Sequence, residues 1–215
     1  MKIKRPLIIF LFALIGHSGY SQVSIGARAG LNFARIVSAL EEAETRGFKR
    51  GYYAGATAQV ELSERRFVRA ELLYTQKGNR YGASFLSPDG GESTFHYAAV
   101  AWHHGYRPTE KLSLLLGPQV GKLMSANTRF ADKSFDITDS YSKWDLGLDL
   151  GLEYRITAKL GIETRYTYGF RLMSETQDRR FGGTSSSSGR RYDGANRVLQ
   201  IGLIYFLKEG EDRAK

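Results

Sequence analysis

The sequence predicts an all-β fold: an eight-stranded antiparallel transmembrane β-barrel with short periplasmic turns and long extracellular loops. The first observation is strict alternation. Trp144, Leu146, Leu148, Leu150, Leu152, Tyr154 and Ile156 interleave with Asp145, Gly147, Asp149, Gly151, Glu153 and Arg155. Successive side chains on a strand point to opposite faces, so this segment separates an apolar medium from a polar one. The apolar face begins and ends in the amphipathic rings of Trp144 and Tyr154, as a lipid-facing strand does. The second observation is an export signal over residues 1–22: basic Lys2, Lys4 and Arg5, an apolar run over 7–15, then small Ser18, Gly19 and Ser21 before a cleavage point near Gln22. That run falls short of the roughly 20 residues that span a bilayer as a helix. The third is that tight connections, 63–66, 108–110 and 157–158, alternate with long ones, 37–48, 80–93, 127–142 and 174–195.

The strands follow from period two, with lumen parity set opposite to Leu146, Leu148 and Leu150. The segment 23–36 turns Gly26, Arg28, Gly30 and Asn32 inward, and 49–62 turns in Gly55, Gln59 and Glu61. The segment 67–79 contributes Arg69, Glu71, Leu73, Thr75 and Lys77. In 94–107, Tyr97 faces in while His96 and His104 fall on the outer wall, and adjacent His103 and His104 cannot share one metal. The segment 111–126 places Leu115, Gly117, Gln119 and Gly121 inside, and 143–156 places Asp145, Asp149, Glu153 and Arg155 there. In 159–173, Glu163, Arg165, Thr167 and Arg171 point in, with Leu160, Ile162, Tyr166, Tyr168, Phe170 and Leu172 out. The closing segment, 196–208, has Gly202 inward and precedes a charged tail, 209–215. Within the loop 37–48, Ala39, Leu40 and Ala43 amid Glu41, Glu42 and Glu44 suit a short helical turn.

The inward charges come in both signs: Arg28, Arg69, Lys77, Arg155, Arg165 and Arg171 against Glu61, Glu71, Asp145, Asp149, Glu153 and Glu163. An eight-stranded lumen is wide enough only for its own side chains, and buried charges persist when paired. The expectation is a structural charge network that plugs the barrel.

Composition excludes several chemistries. With no cysteine there is no disulfide, thiolate metal site or cysteine nucleophile. No cofactor motif is present, and Gly26-Ala27-Arg28-Ala29-Gly30 opens no helix, as a dinucleotide fingerprint would. The net charge of +9 falls to +6 without Lys2, Lys4 and Arg5. Those charges alternate with apolar residues or sit in loops, which suits outer-membrane lipid and lipopolysaccharide phosphates as partners rather than nucleic acid. The last long loop carries Arg179, Arg180, Arg190 and Arg191 around a Gly/Ser stretch, a candidate contact for an anionic partner. A lipid A hydrolase would need a serine, a histidine and an acid converging on the outer wall, with Ser113 and Ser125 the nearest serines. A barrel for a small apolar or lipid ligand would use inward Leu73, Tyr97 and Leu115.

Several stretches resemble the PorT-type outer-membrane β-barrel proteins of Bacteroidota. They are Ala27-Arg28-Ala29-Gly30-Leu31-Asn32, Glu71-Leu72-Leu73-Tyr74-Thr75-Gln76-Lys77-Gly78, Leu116-Gly117-Pro118-Gln119-Val120-Gly121 and Asn196-Arg197-Val198-Leu199-Gln200-Ile201-Gly202. The last strand, with Gln200, Gly202, Tyr205 and Leu207, is similar to the signal read by the barrel-insertion machinery. With an even strand count and short turns on the periplasmic side, both termini lie in the periplasm, and the export signal places the barrel in a Gram-negative outer membrane as a non-enzymatic protein. The resemblance implies a link to type IX protein secretion, the role of the family's founding member.

Overall fold

A computed structural model describes residues 23–38, 47–82, 90–130, 133–173 and 193–208. The expected signal segment 1–22, the loop helix at 39–46, the arginine-bearing loop segment 174–192 and the tail 209–215 lie outside the described residues. Nine strands run in order: β1 (Val23–Ser38), β2 (Lys49–Ser63), β3 (Arg66–Tyr81), β4 (Gly91–Tyr106), β5 (Leu112–Phe130), β6 (Lys133–Asp136), β7 (Trp144–Arg155), β8 (Leu160–Met173) and β9 (Asp193–Lys208). Eight of them form one closed antiparallel ring. Each long strand pairs with its long neighbour in the chain, β5 pairs with β7, and β9 returns to pair with β1. Closure leaves none of these eight with a free edge, which is what a spanning sheet needs in lipid.

Strand positions agree with the alternation to within a few residues. The expected loop 127–142 does not stay irregular: β5 continues to Phe130 and folds back through β6, which pairs only with β5, into a 3-10 turn at Thr138–Ser140. Asp136 accepts the Thr138 backbone N–H at 2.8 Å, and that residue's hydrogen bonds hold the Asp136 carboxyl below its usual range.

The outer wall carries the apolar side chains. Leu146, Leu148, Leu150, Ile162, Tyr166, Tyr168 and Phe170 are exposed, as their parity requires. Trp102, Tyr106, Tyr154 and Tyr205 ring the turn end, while Tyr52, Tyr74, Trp144 and Tyr168 ring the loop end. From Trp144 to Tyr154 a strand rises about 33 Å, or about 25 Å once tilted by about 40°, the height of an outer-membrane apolar band.

Candidate functional site

The interior is built by the inward half of every long strand, and its charges meet across the lumen in three groups. Near the turn end, Arg69 on β3 donates to Glu153 on β7 at 2.6 Å and to Gln59 on β2 at 2.7 and 3.0 Å. Arg155 donates to the other Glu153 oxygen at 3.2 Å. Arg107, just past β4, holds Glu61 with both terminal nitrogens at 2.5 and 2.7 Å. Phe67 and Phe206 lie beneath these guanidinium groups, with Arg107 4.3 Å above Phe67 and Arg155 4.2 Å above Phe206.

The middle group joins opposite walls. Glu71 accepts from Arg28 and, through both oxygens, from Arg165 at 2.7 and 3.0 Å. Arg28 also pairs with Glu163 at 2.6 Å, and Tyr53 donates its hydroxyl to the same Glu163 oxygen at 2.8 Å. His103 Nε2 lies 3.0 Å from Asp149, which takes the Thr167 hydroxyl at 2.7 Å on its other oxygen. All of these side chains are buried. Charge-assisted and bidentate contacts of this kind are the strong ones in a medium of low dielectric.

Toward the loop end, Asp145 accepts from Lys77 at 2.7 Å and Asn196 at 3.0 Å, and Lys77 reaches Gln119 at 3.1 Å. Above them lies an apolar cap. Ile36, Phe95, Tyr97, Leu123 and Ala126 are buried together, with Ile137 and Tyr141 of the β5–β7 connection packed on them. The Tyr141 ring meets Phe95 edge-on at 4.8 Å.

Eleven of the twelve charged residues expected in the lumen are there, Glu61 as the most exposed of them. For the twelfth, Arg171, a register shift between Leu146 and Gly147 sets its backbone opposite outward Leu146, and its side chain lies outside the described residues. The side chain of Leu172 and the loop residues Arg179, Arg180, Arg190 and Arg191 are likewise outside them. Sequence reasoning missed His103, Arg107, Tyr53, Asn196 and Gln200. His103 was within its reach, since the parity that sends Tyr97 inward also sends His103 inward.

Interior glycines answer bulky neighbours. Gly30 and Gly202 face each other across β1 and β9, and a Cβ on either would stand 2.8 or 2.3 Å from the Tyr53 hydroxyl. A Cβ on Gly105 would lie 2.1 to 2.5 Å from Phe67 ring atoms. The inward apolar residues fill space in the same way: Leu73 lies over Gly55, Tyr97 over Gly121 and Leu115 over Gly151.

The outer-wall residues considered for hydrolysis do not converge. Ser113 is buried in the lumen, on the face opposite to His96 and exposed His104. Ser125 stands opposite His96 in the β4–β5 register, but the His96 Nδ1 is engaged by the Tyr74 hydroxyl at 2.5 Å.

Comparison with known proteins agrees with this architecture. No curated protein sequence matches the chain. Among solved structures, Neisserial surface protein A shares 14% identity over 85% of this chain and 97% of its own, with a TM-score of 0.54, a likeness of fold. Ail of Yersinia pestis shares 17% identity over 86% and 99% of the two chains at a TM-score of 0.48. Outer membrane protein W of E. coli shares 12% over 88% and 100% at 0.44. The model of the outer membrane protein beta-barrel domain matches residues 16–175, well over half of the chain. An eight-stranded barrel with an apolar outer wall, two aromatic girdles and a paired-charge interior thus belongs to the outer membrane protein beta-barrel domain family and resides in the outer membrane.

Proposed function

We propose that this protein is a non-enzymatic outer-membrane barrel with a sealed interior, acting in envelope interactions through its loop end and outer wall. The observation that supports it is the Arg28–Glu71–Arg165 bridge, which ties β1, β3 and β8 together across the middle of the lumen. A solute path would need those charges free, and here they are spent on one another. Leu73, Tyr97 and Leu115, the residues a small apolar ligand would use, fill space over interior glycines. In this reading the short turns and both termini face the periplasm and the long loops face outward, with the barrel-insertion machinery as a transient partner.

Planar-bilayer recording tests the sealed interior: steady, ion-selective openings from the purified barrel would contradict it. The secretion role that the PorT-type resemblance implies is tested by deleting the gene and measuring export of proteases. Unchanged export would remove that role and leave the envelope reading standing.

A further inference from the structure

On the outer wall at the loop end, β1 and β9 set Arg35 directly opposite Arg197. Like charges at directly opposed sheet positions, with Cβ atoms about 5 Å apart, repel one another. On the neighbouring strand, Arg50 stands opposite Phe33, two residues along β1 from Arg35. The three arginines therefore stand at neighbouring outward positions on β2, β1 and β9. None of them is ion-paired to a carboxylate among the described residues, although the described cations inside the barrel are paired.

The patch is also organised. Arg197 lies 3.6 Å from the centroid of the Tyr168 ring, while its Nη1 donates to the carbonyls of Gly169 at 2.6 Å and Asn196 at 3.1 Å. Among the described residues its Nη2 and Nε make no hydrogen bond. Arg35 is placed over the Phe48 ring at 5.6 Å, and Arg35 and Arg50 are both exposed. Directly toward the membrane centre, the same strands present exposed Leu31, Leu199, Ile201 and Leu203. A cationic cradle set immediately above an acyl-facing wall suits a ligand that carries phosphate and hydrocarbon together. Guanidinium forks match phosphate oxygens bidentately, and an anion beside these arginines offsets the repulsion between them.

We propose that Arg35, Arg50 and Arg197 form a binding site for a phosphate of lipid A in the outer leaflet. The proposal rests on the outward orientation of the loop end in the reading above. It assigns that reading a specific ligand and a specific place on the wall.

The test uses the full mature barrel, folded in phosphatidylcholine nanodiscs containing lipid A and released for native mass spectrometry. Wild type is expected to retain lipid A, and to retain dephosphorylated lipid A or phosphatidylglycerol at least about tenfold less, as loss of charge-assisted contacts would give. The R35Q/R50Q/R197Q variant should lose retention to the same extent, with heat-dependent gel mobility confirming that it is folded. R50Q alone, which removes no ring stacking, should weaken retention measurably and serves if the triple variant does not fold. Equal retention of phosphatidylglycerol, or unchanged retention by R50Q, would overturn the site. Retention seen only in E41Q/E42Q/E44Q, whose acids follow β1 in sequence, would assign the arginines to that loop and overturn it too. Protease access to the loops on whole cells reads the orientation separately: cleavage only after envelope disruption would refute the outer leaflet. A conducting barrel would sink the sealed interior without touching lipid A retention.

Discussion

Arg165 on β8 holds Glu71 on β3 with two parallel hydrogen bonds of 2.7 and 3.0 Å, across the lumen and 94 residues of chain. Glu71 is also the acceptor for Arg28, so one carboxylate touches two buried guanidinium groups, with Glu163 as the second partner of Arg28. Glu71→Ala is expected to destabilise the barrel by about 3–5 kcal/mol, because it strands charge in a dry interior. Urea unfolding in bilayers measures this. A loss under about 1 kcal/mol would mean that water reaches the site and screens the charges.

The outer wall responds to the opposite change. Leu148 sits between Trp144 and Tyr154 on β7, with its side chain exposed. Leu148→Arg should cost about 2–4 kcal/mol if that side chain lies near the bilayer midplane. Unchanged stability in bilayers would put Leu148 away from the midplane.

Gly105 offers a packing test that two mutations can separate. Its missing side chain is the space that the Phe67 ring occupies. Gly105→Ala should cost about 1–3 kcal/mol through overpacking. Phe67→Leu should recover part of that loss in the double variant, an interaction that a double-mutant cycle reads directly. Strict additivity would mean that the ring does not meet the new methyl.

The apolar cap and the charge network make separable predictions. Replacing Ile137 and Tyr141 by serine removes the cap residues supplied by the β5–β7 connection while leaving the long strands intact. Bilayer conductance should stay at the wild-type level, because the paired charges beneath still fill the lumen. Conductance that appears with this variant alone would make the cap the seal.

The distant loop can be removed without touching the wall. Residues 179–191 lie between β8 and β9, so a neutral linker there should leave a folded barrel by gel mobility. If Arg179, Arg180, Arg190 and Arg191 engage an anionic envelope partner, its capture should fall in the linker variant. It should also weaken with salt in wild type, since exposed charges are screened over about 8 Å. Unchanged capture would leave that loop a solubilising one.

Much of this was legible because period two is a direct readout of which face a residue takes. Once Leu146, Leu148 and Leu150 were set outward, Arg28, Arg69, Asp149 and Glu163 had to be inside. Partners were not legible. That Glu71 meets Arg28 and Arg165 depends on how the strands stagger around the closed ring, which side-chain alternation does not encode. At Arg171 a bulge shifts the backbone register, and its side chain lies outside the described residues. The cap escaped the parity because Ile137 and Tyr141 sit in a connection with no repeating period. Arg107, like His103, was legible: it falls in the expected segment 94–107 at the parity that sends Tyr97 inward.

The middle pairing also constrains how the chain can enter a membrane. Arg28 belongs to the first strand, Glu71 to the third, and Glu163 and Arg165 to the eighth in chain order, β6 included. A half-made sheet left in hydrocarbon would carry each of these ions without its counterpart, at a cost of several kcal/mol apiece. Partial intermediates are thereby penalised, and neutralisation becomes simultaneous with ring closure. Insertion into lipid vesicles is expected to follow one exponential, in which tryptophan fluorescence and protease protection rise together. A lag between the two signals would mean that the charges cross the membrane before they find one another.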